Sequence, residues 1–172
     1  MSHLYKTMRS PVGQLTLVAS ARGLAAVLWE DDDPTRVRLA DRKEAADHPV
    51  LVQAQQQLDE YFAGKRRKFT VTLDPAGTDF QTRVWNALRT IPFGETRSYG
   101  QIADQIGSRK AVRAVGAANG ANPLSIIVPC HRVIGADGKL TGFAGGLDVK
   151  ARLLALERRS GLGARPGELH LD

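Results

Sequence analysis

Two short helices joined by a tight turn at Gly107-Ser108 constrain the architecture of this chain more than any other feature. Apolar spacing and turn signals predict helices over residues 99–106 and 109–119, the outline of a helix-turn-helix. The second is unusual, because Ala111, Ala114, Gly116, Ala117, Ala118 and Gly120 surround one long cation, Arg113. Small residues let a helix backbone approach a partner closely while the arginine projects. The same stripe would equally serve tight packing against a neighbouring helix, and the segment alone leaves both readings open.

The rest of the chain supplies the frame. Leu15, Leu17 and Ala19 alternate with polar or small neighbours, and Leu24 to Trp29 follows the turn signal Ala21-Arg22-Gly23, so a small antiparallel sheet is expected. The acidic stretch between Asp31 and Asp47 reads as a solvated loop leading to a polar helix. Leu51, Ala54, Leu58, Tyr61 and Phe62 recur at helical spacing between Pro49 and Phe62, and Gly64 marks the stop. After the basic run Lys65-Arg66-Arg67-Lys68, read as a solvated loop, Phe69 to Leu73 is expected to be a strand, and Pro75-Ala76-Gly77 breaks the pattern. A helix then opens at a Thr78 or Asp79 cap with Phe80, Val84, Trp85 and Leu88 on one face, and Ile91-Pro92-Phe93-Gly94 ends it. A last amphipathic helix runs from Leu147 to Leu156 and closes on Glu157-Arg158-Arg159. The expected organisation is a domain over 1–76, a second over 77–160, and a flexible tail over 161–172, an α/β (α+β) chain overall.

With 172 residues and 42% hydrophobic side chains the chain can build its core without staples. Its 24 Lys and Arg against 18 Asp and Glu, formal charge +6, favour a polyanion as partner, nucleic acid first. No apolar run approaches membrane-spanning length, so the expectation is a soluble, intracellular, cytoplasmic protein with no membrane partner. The single cysteine, Cys130, ends the apolar run Ile126-Ile127-Val128-Pro129 and is followed by His131-Arg132. One thiol makes no internal disulfide and no sulfur-rich metal site, so it is either a small buried residue or a nucleophile. The preceding proline, the adjacent imidazole and the guanidinium favour a thiolate held in one pose.

Pro129-Cys130-His131-Arg132-Val133, Asn122-Pro123 upstream, Arg113-Ala114-Val115-Gly116, Tyr99, Gly145-Gly146 and Leu153-Leu154-Ala155-Leu156-Glu157 occur together in one order and spacing. On these residues the chain resembles the methylated-DNA–protein-cysteine methyltransferases, most closely the small bacterial form, from about Thr78 to Glu157. The resemblance implies a ribonuclease H-like sheet plus helix in the N-terminal domain, without chemistry of its own, and a mostly helical, winged helix-turn-helix-like C-terminal domain. It implies DNA repair by irreversible, single-turnover transfer of the alkyl group from O6-alkylguanine to Cys130, with O4-alkylthymine and larger alkyl groups left open.

In that scheme His131, acting through a water, takes the thiol proton, and Glu157 fixes the imidazole and supports its charge. Tyr99 supplies a proton or hydrogen bond to the departing guanine, and Asn122 holds backbone around the cysteine loop. The resemblance also implies that the nucleotide is rotated out of the duplex and that Arg113 fills the gap from the minor groove. Arg109, Lys110, Ala111, Ala114, Gly116 and Ala118 accompany it on the DNA-binding helix. Val133, Ile134, Gly135, Phe143, Ala144 and Gly145 would line the base pocket. The expected partner is double-stranded DNA carrying O6-alkylguanine, met by a monomer, with clustering along the duplex left open.

Two departures stand out. Phe143 takes a place where many relatives carry tyrosine, so any phenol contact there is lost. The N-terminal half has no cysteine, so the zinc site of some members is not expected here, and the reaction calls for no cofactor. Two rival readings remain: a non-catalytic lesion sensor, which would not need the thiol, and a cysteine hydrolase, for which an adjacent Cys-His pair is the wrong pattern.

Overall fold

The computed structural model describes residues 3–39 and 41–159, so the expected tail lies outside the described residues. Four strands form the first sheet: β1 (His3–Met8), β2 (Leu15–Ala19), β3 (Leu24–Trp29) and β4 (Arg42–Glu44), in the order β3-β2-β1-β4. β1 and β2 pair antiparallel from Leu4↔Ala19 to Met8↔Leu15, and β2 and β3 from Leu15↔Trp29 to Ala19↔Leu24, with a bulge at Val18/Ala19. Leu15, Leu17, Leu24 and Val27 are wholly buried beneath α1 (Pro49–Phe62), which turns Leu51, Ala54, Leu58 and Tyr61 toward them. Each such side chain contributes about 1.5–3 kcal/mol by leaving water.

Two expectations are corrected in this half, and one strand is added. The segment before α1 forms no polar helix; turns lead instead to β4, which pairs parallel to β1 through His3↔Arg42 and Tyr5↔Glu44. β1 itself had not been expected, and its mostly half-exposed residues explain why alternation did not reveal it. Phe69 to Leu73 is not a strand. The Gln57 side chain accepts from the amides of Thr70 (2.9 Å) and Val71 (3.3 Å), giving those donors a local partner in place of a ladder. Only the bridge Leu24↔Leu73 ties the segment to β3.

The second half is mostly helical. α2 (Asp79–Leu88) starts at a capping box in which Thr78 accepts from the Gln81 amide and Gln81 accepts from that of Thr78. α3 (Tyr99–Gln105) repeats the device with Ser98 and Gln101. α4 (Val112–Gly120) begins later than expected, because Arg109 and Lys110 lie in the turn and Arg109 pairs with Asp104 across it. Trp85 of α2 donates its indole N–H to the Ala118 carbonyl (2.8 Å), locking α2 against α4. A two-stranded parallel ribbon, β5 (Arg97–Ser98) with β6 (Val133–Ile134), and α5 (Leu147–Arg159) complete the fold.

The two halves share one core running from Leu15 and Leu58 through Leu88, Ile102 and Val115 to Leu153. They are also stitched by backbone: Val27 donates to the Pro123 carbonyl (2.9 Å) and bridges Leu124. The chain just before Cys130 is therefore anchored to the first sheet.

Candidate active site

Asn122 shapes the cysteine loop. Its amide nitrogen donates to the Val128 carbonyl (2.9 Å) and its oxygen accepts from the Leu124 amide (3.0 Å), so one buried side chain closes the loop from within. Ile126 sits at φ 74, a left-handed conformation that a β-branched residue adopts only when its surroundings impose it. Cys130, His131 and Arg132 then form one 3-10 turn after Pro129, all buried.

Adjacent in sequence, Cys130 and His131 serve different neighbours. The His131 Nε2 lies 2.6 Å from Glu157 Oε2, and both side chains are wholly buried. An ionised carboxylate only accepts, so Nε2 carries the proton and Nδ1 keeps its lone pair. Nδ1 is buried with no hydrogen-bond partner among the described residues. Burial holds the imidazole below its ordinary value, against the pull of Glu157. Glu157 is held far below the carboxylate range, because the charges and hydrogen bonds of His131 and Arg132 outweigh the cost of its own burial. Burial raises the Cys130 thiol, opposed by hydrogen bonding from Asn122 and the charges of Arg36 and Lys150. A thiol kept protonated at rest beside a neutral imidazole with a free lone pair suits proton removal during reaction.

Several partners escaped the sequence reading. Arg132 grips both Glu157 oxygens (2.8 and 3.1 Å), donates to the Ile91 carbonyl (2.7 Å) and lies over the Phe93 ring. Arg36 forks onto Asp32 and donates to the Asn122 carbonyl (2.7 Å). Lys150 is wholly buried, donating to the Thr141 carbonyl (3.3 Å) near the face of Phe143. Only Arg132 carried a signal, its adjacency to Cys130-His131; Arg36 reaches Asn122 from 86 positions away, and Lys150 is held by the loop that carries Thr141 and Phe143.

The expected pocket residues occupy two strips. Val133 and Ile134 form β6, with Val133 wholly buried and Gly135 following. Phe143 stacks edge-on against Trp29 (5.5 Å), whose indole donates to Ser125 (3.1 Å), and Gly145 presses on the same indole; Ala144 is exposed. Tyr99 shares a 2.5 Å hydrogen bond with Thr141, on the same loop as Phe143. On the helix-turn-helix, Arg109, Lys110, Arg113 and Ala114 are exposed, Ala111 and Gly116 half-exposed, and Gly116 backs onto the Tyr99 ring. Ala118 is a correction: it is buried against the core and faces away from that surface. The basic run is also more tied than expected, since Arg66 pairs with Glu60 and donates to the Lys68 carbonyl (2.8 Å). Arg67 and Lys68 line a groove of about 800 Å³ with Arg89, Phe93 and Ile126, behind the cysteine loop.

A helix-turn-helix beside a buried Cys-His-Glu centre defines a DNA-binding protein class with a thiol at its core. Family models described as the ribonuclease-like domain and the DNA binding domain of 6-O-methylguanine DNA methyltransferase match residues 3–75 and 79–159. The chain belongs to that family. It is 53% identical over 157 residues to the methylated-DNA–protein-cysteine methyltransferase of Mycolicibacterium paratuberculosis, covering 90% of this chain and 92% of that protein. The protein of the same name from Methanosarcina acetivorans is 50% identical over 153 residues, covering 89% and 97%. Among solved structures, Mycobacterium tuberculosis O6-methylguanine methyltransferase superposes with a TM-score of 0.80 at 52% identity, covering 92% of this chain and 94% of that one. The M. tuberculosis OGT solved in complex with DNA gives 0.81 at 51% identity, covering 92% and 93%. Among the described residues no helix is long and apolar enough to cross a membrane.

Proposed function

We propose that this protein repairs O6-alkylguanine in double-stranded DNA by moving the alkyl group irreversibly onto Cys130, once per molecule. The observation that carries the reading is the buried Cys130-His131-Glu157 arrangement, in which Glu157 holds the His131 Nε2 and the Nδ1 meets no partner among the described residues. His131, through a water, accepts the thiol proton, and Glu157 supports the imidazolium that forms. The sulfur attacks the alkyl carbon in line: a carbon–sulfur bond forms, the carbon–O6 bond breaks, and the electron pair leaves with the guanine. Tyr99 supplies the hydrogen bond or proton that makes guanine a better leaving group. Asn122 keeps the loop closed around the sulfur.

The target carbon lies inside stacked DNA, so the nucleotide must be turned out. Arg113, exposed on α4, fills the space left behind, and Arg109, Lys110, Ala111, Ala114 and Gly116 border the groove. Ile134, Gly135, Phe143, Ala144 and Gly145 receive the base, with Val133 contributing main chain. The working division is an N-terminal domain to about residue 76 and a DNA-binding, alkyl-accepting domain beyond it, in a cytoplasmic protein. A thioether is not readily reversed, so stoichiometry is the signature.

Intact-protein mass after mixing equimolar protein with a duplex carrying one O6-methylguanine tests this. Wild type gains one methyl and saturates at one per molecule, while Cys130→Ser and an undamaged duplex give none. Tight binding to the damaged duplex with no mass gain would instead make the protein a lesion sensor.

A further inference from the structure

Tyr61 belongs to α1, in the half of the chain to which no chemistry was attached, yet its hydroxyl ends inside the candidate active site. The Oη donates to Glu157 Oε2 at 2.7 Å, the same oxygen that meets His131 Nε2 at 2.6 Å and Arg132 at 3.1 Å. The other oxygen, Oε1, accepts from Arg132 Nε (2.8 Å) and the Gly94 amide (3.2 Å). The ring is wholly buried and boxed by Phe62, Phe69 and Phe93, with centroids at 5.3, 5.7 and 6.1 Å, so the hydroxyl has one direction available.

We propose that Tyr61 is a positioning residue for alkyl transfer: its hydroxyl shares Glu157 Oε2 with His131 and thereby sets how strongly the carboxylate pulls on the imidazole. This deepens the proposed function and rests on it. A carboxylate divides its acceptor strength among its donors. Each further donor on Oε2 leaves less negative charge to stabilise an imidazolium, so Tyr61 helps keep His131 neutral and ready to accept a proton. The charged groups acting on His131 are Glu157 and Lys150 from α5 and Arg132 from its own turn; those on Glu157 are His131 and Arg132, with Tyr61 bonded from α1. Of these, Tyr61 alone comes from the N-terminal half.

The experiment compares wild type, Tyr61→Phe and a protein carrying 3-fluorotyrosine at position 61. The pH midpoint of His131 is followed by ring nitrogen NMR of the unreacted protein, alongside the pH profile of single-turnover methyl transfer. Tyr61→Phe keeps the ring and removes the donor, so the midpoint rises by about 0.5–1 unit. Transfer on the acid side then slows about 3- to 10-fold relative to the variant's own alkaline plateau. Fluorotyrosine is a stronger donor and moves the midpoint down. Opposite shifts from the two variants are not produced by loosened packing. Superimposable midpoints, or a uniform loss of rate with no midpoint shift, overturn the proposal. Where Tyr61→Phe fails to fold, the sign of the fluorotyrosine shift decides. A wild type that transfers no methyl overturns the proposed function, while the NMR midpoints still judge the Tyr61 coupling by themselves.

Discussion

Gly145 shows how little room the loop around Phe143 leaves. A Cβ built there would lie 2.8 Å from Trp29 Cδ2 and Cε2 and 3.1 Å from Phe143 Cε2, distances that force an indole to move. That indole cannot swing freely, because its N–H is bonded to the buried Ser125. Gly145→Ala should therefore destabilise the fold by about 1–3 kcal/mol, read from urea unfolding. It should also slow methyl transfer, because Phe143 is displaced with the indole. Gly116 makes the contrast: a Cβ there meets the Tyr99 ring at 3.9 Å, an ordinary contact, so alanine is expected to fit.

The helices that carry the proposed DNA-facing surface depend on their first turns. α2 begins with the Thr78-Gln81 capping box and is bonded through the Trp85 indole to α4, so fraying at Thr78 reaches α4. Thr78→Ala should cost about 1 kcal/mol, seen as a lower midpoint in thermal unfolding, with Cys130 chemistry otherwise intact. A cap at Thr78 or Asp79 was legible in the sequence, as were the stripe of α1 and the stop at Gly64; the return bond from Gln81 was not. The segment from Phe69 to Leu73 was not, because its apolar alternation is served by Gln57 and one bridge rather than by a ladder. β4, three exposed charged or polar residues, carries no periodic signal at all and exists because β1 offers it an edge.

Across the whole molecule, the buried cluster links stability to pH. Glu157 titrates far below its ordinary 4.5 in the folded protein and His131 below its ordinary 6.5. The unfolded chain thus binds more protons at both sites as pH falls, His131 first and Glu157 afterwards. The stability that these two groups supply should be full above about pH 6.5 and decline as pH falls through the acid range, with net proton uptake on unfolding at about pH 5–6, measurable by calorimetry in buffers of different ionisation enthalpy. The adjacency Cys130-His131, the loop asparagine, the final Glu157 and the two short helices were all readable in sequence, since each rests on local pattern or on residues matching a family in order. Ala118 was misplaced because a stripe of small residues does not say which of its members face inward. The places of Tyr61 and Arg36 in the site were invisible for a related reason. Tyr61 and Glu157 stand 96 positions apart, and their 2.7 Å contact exists only once the first sheet, α1 and α5 close on one core. Sequence by itself determined which groups can do chemistry and where α1, α2, α3 and α5 start; the tertiary structure decided where α4 begins and which donors share the Glu157 carboxylate, because hydrogen-bond strength depends on distance in space rather than along the chain.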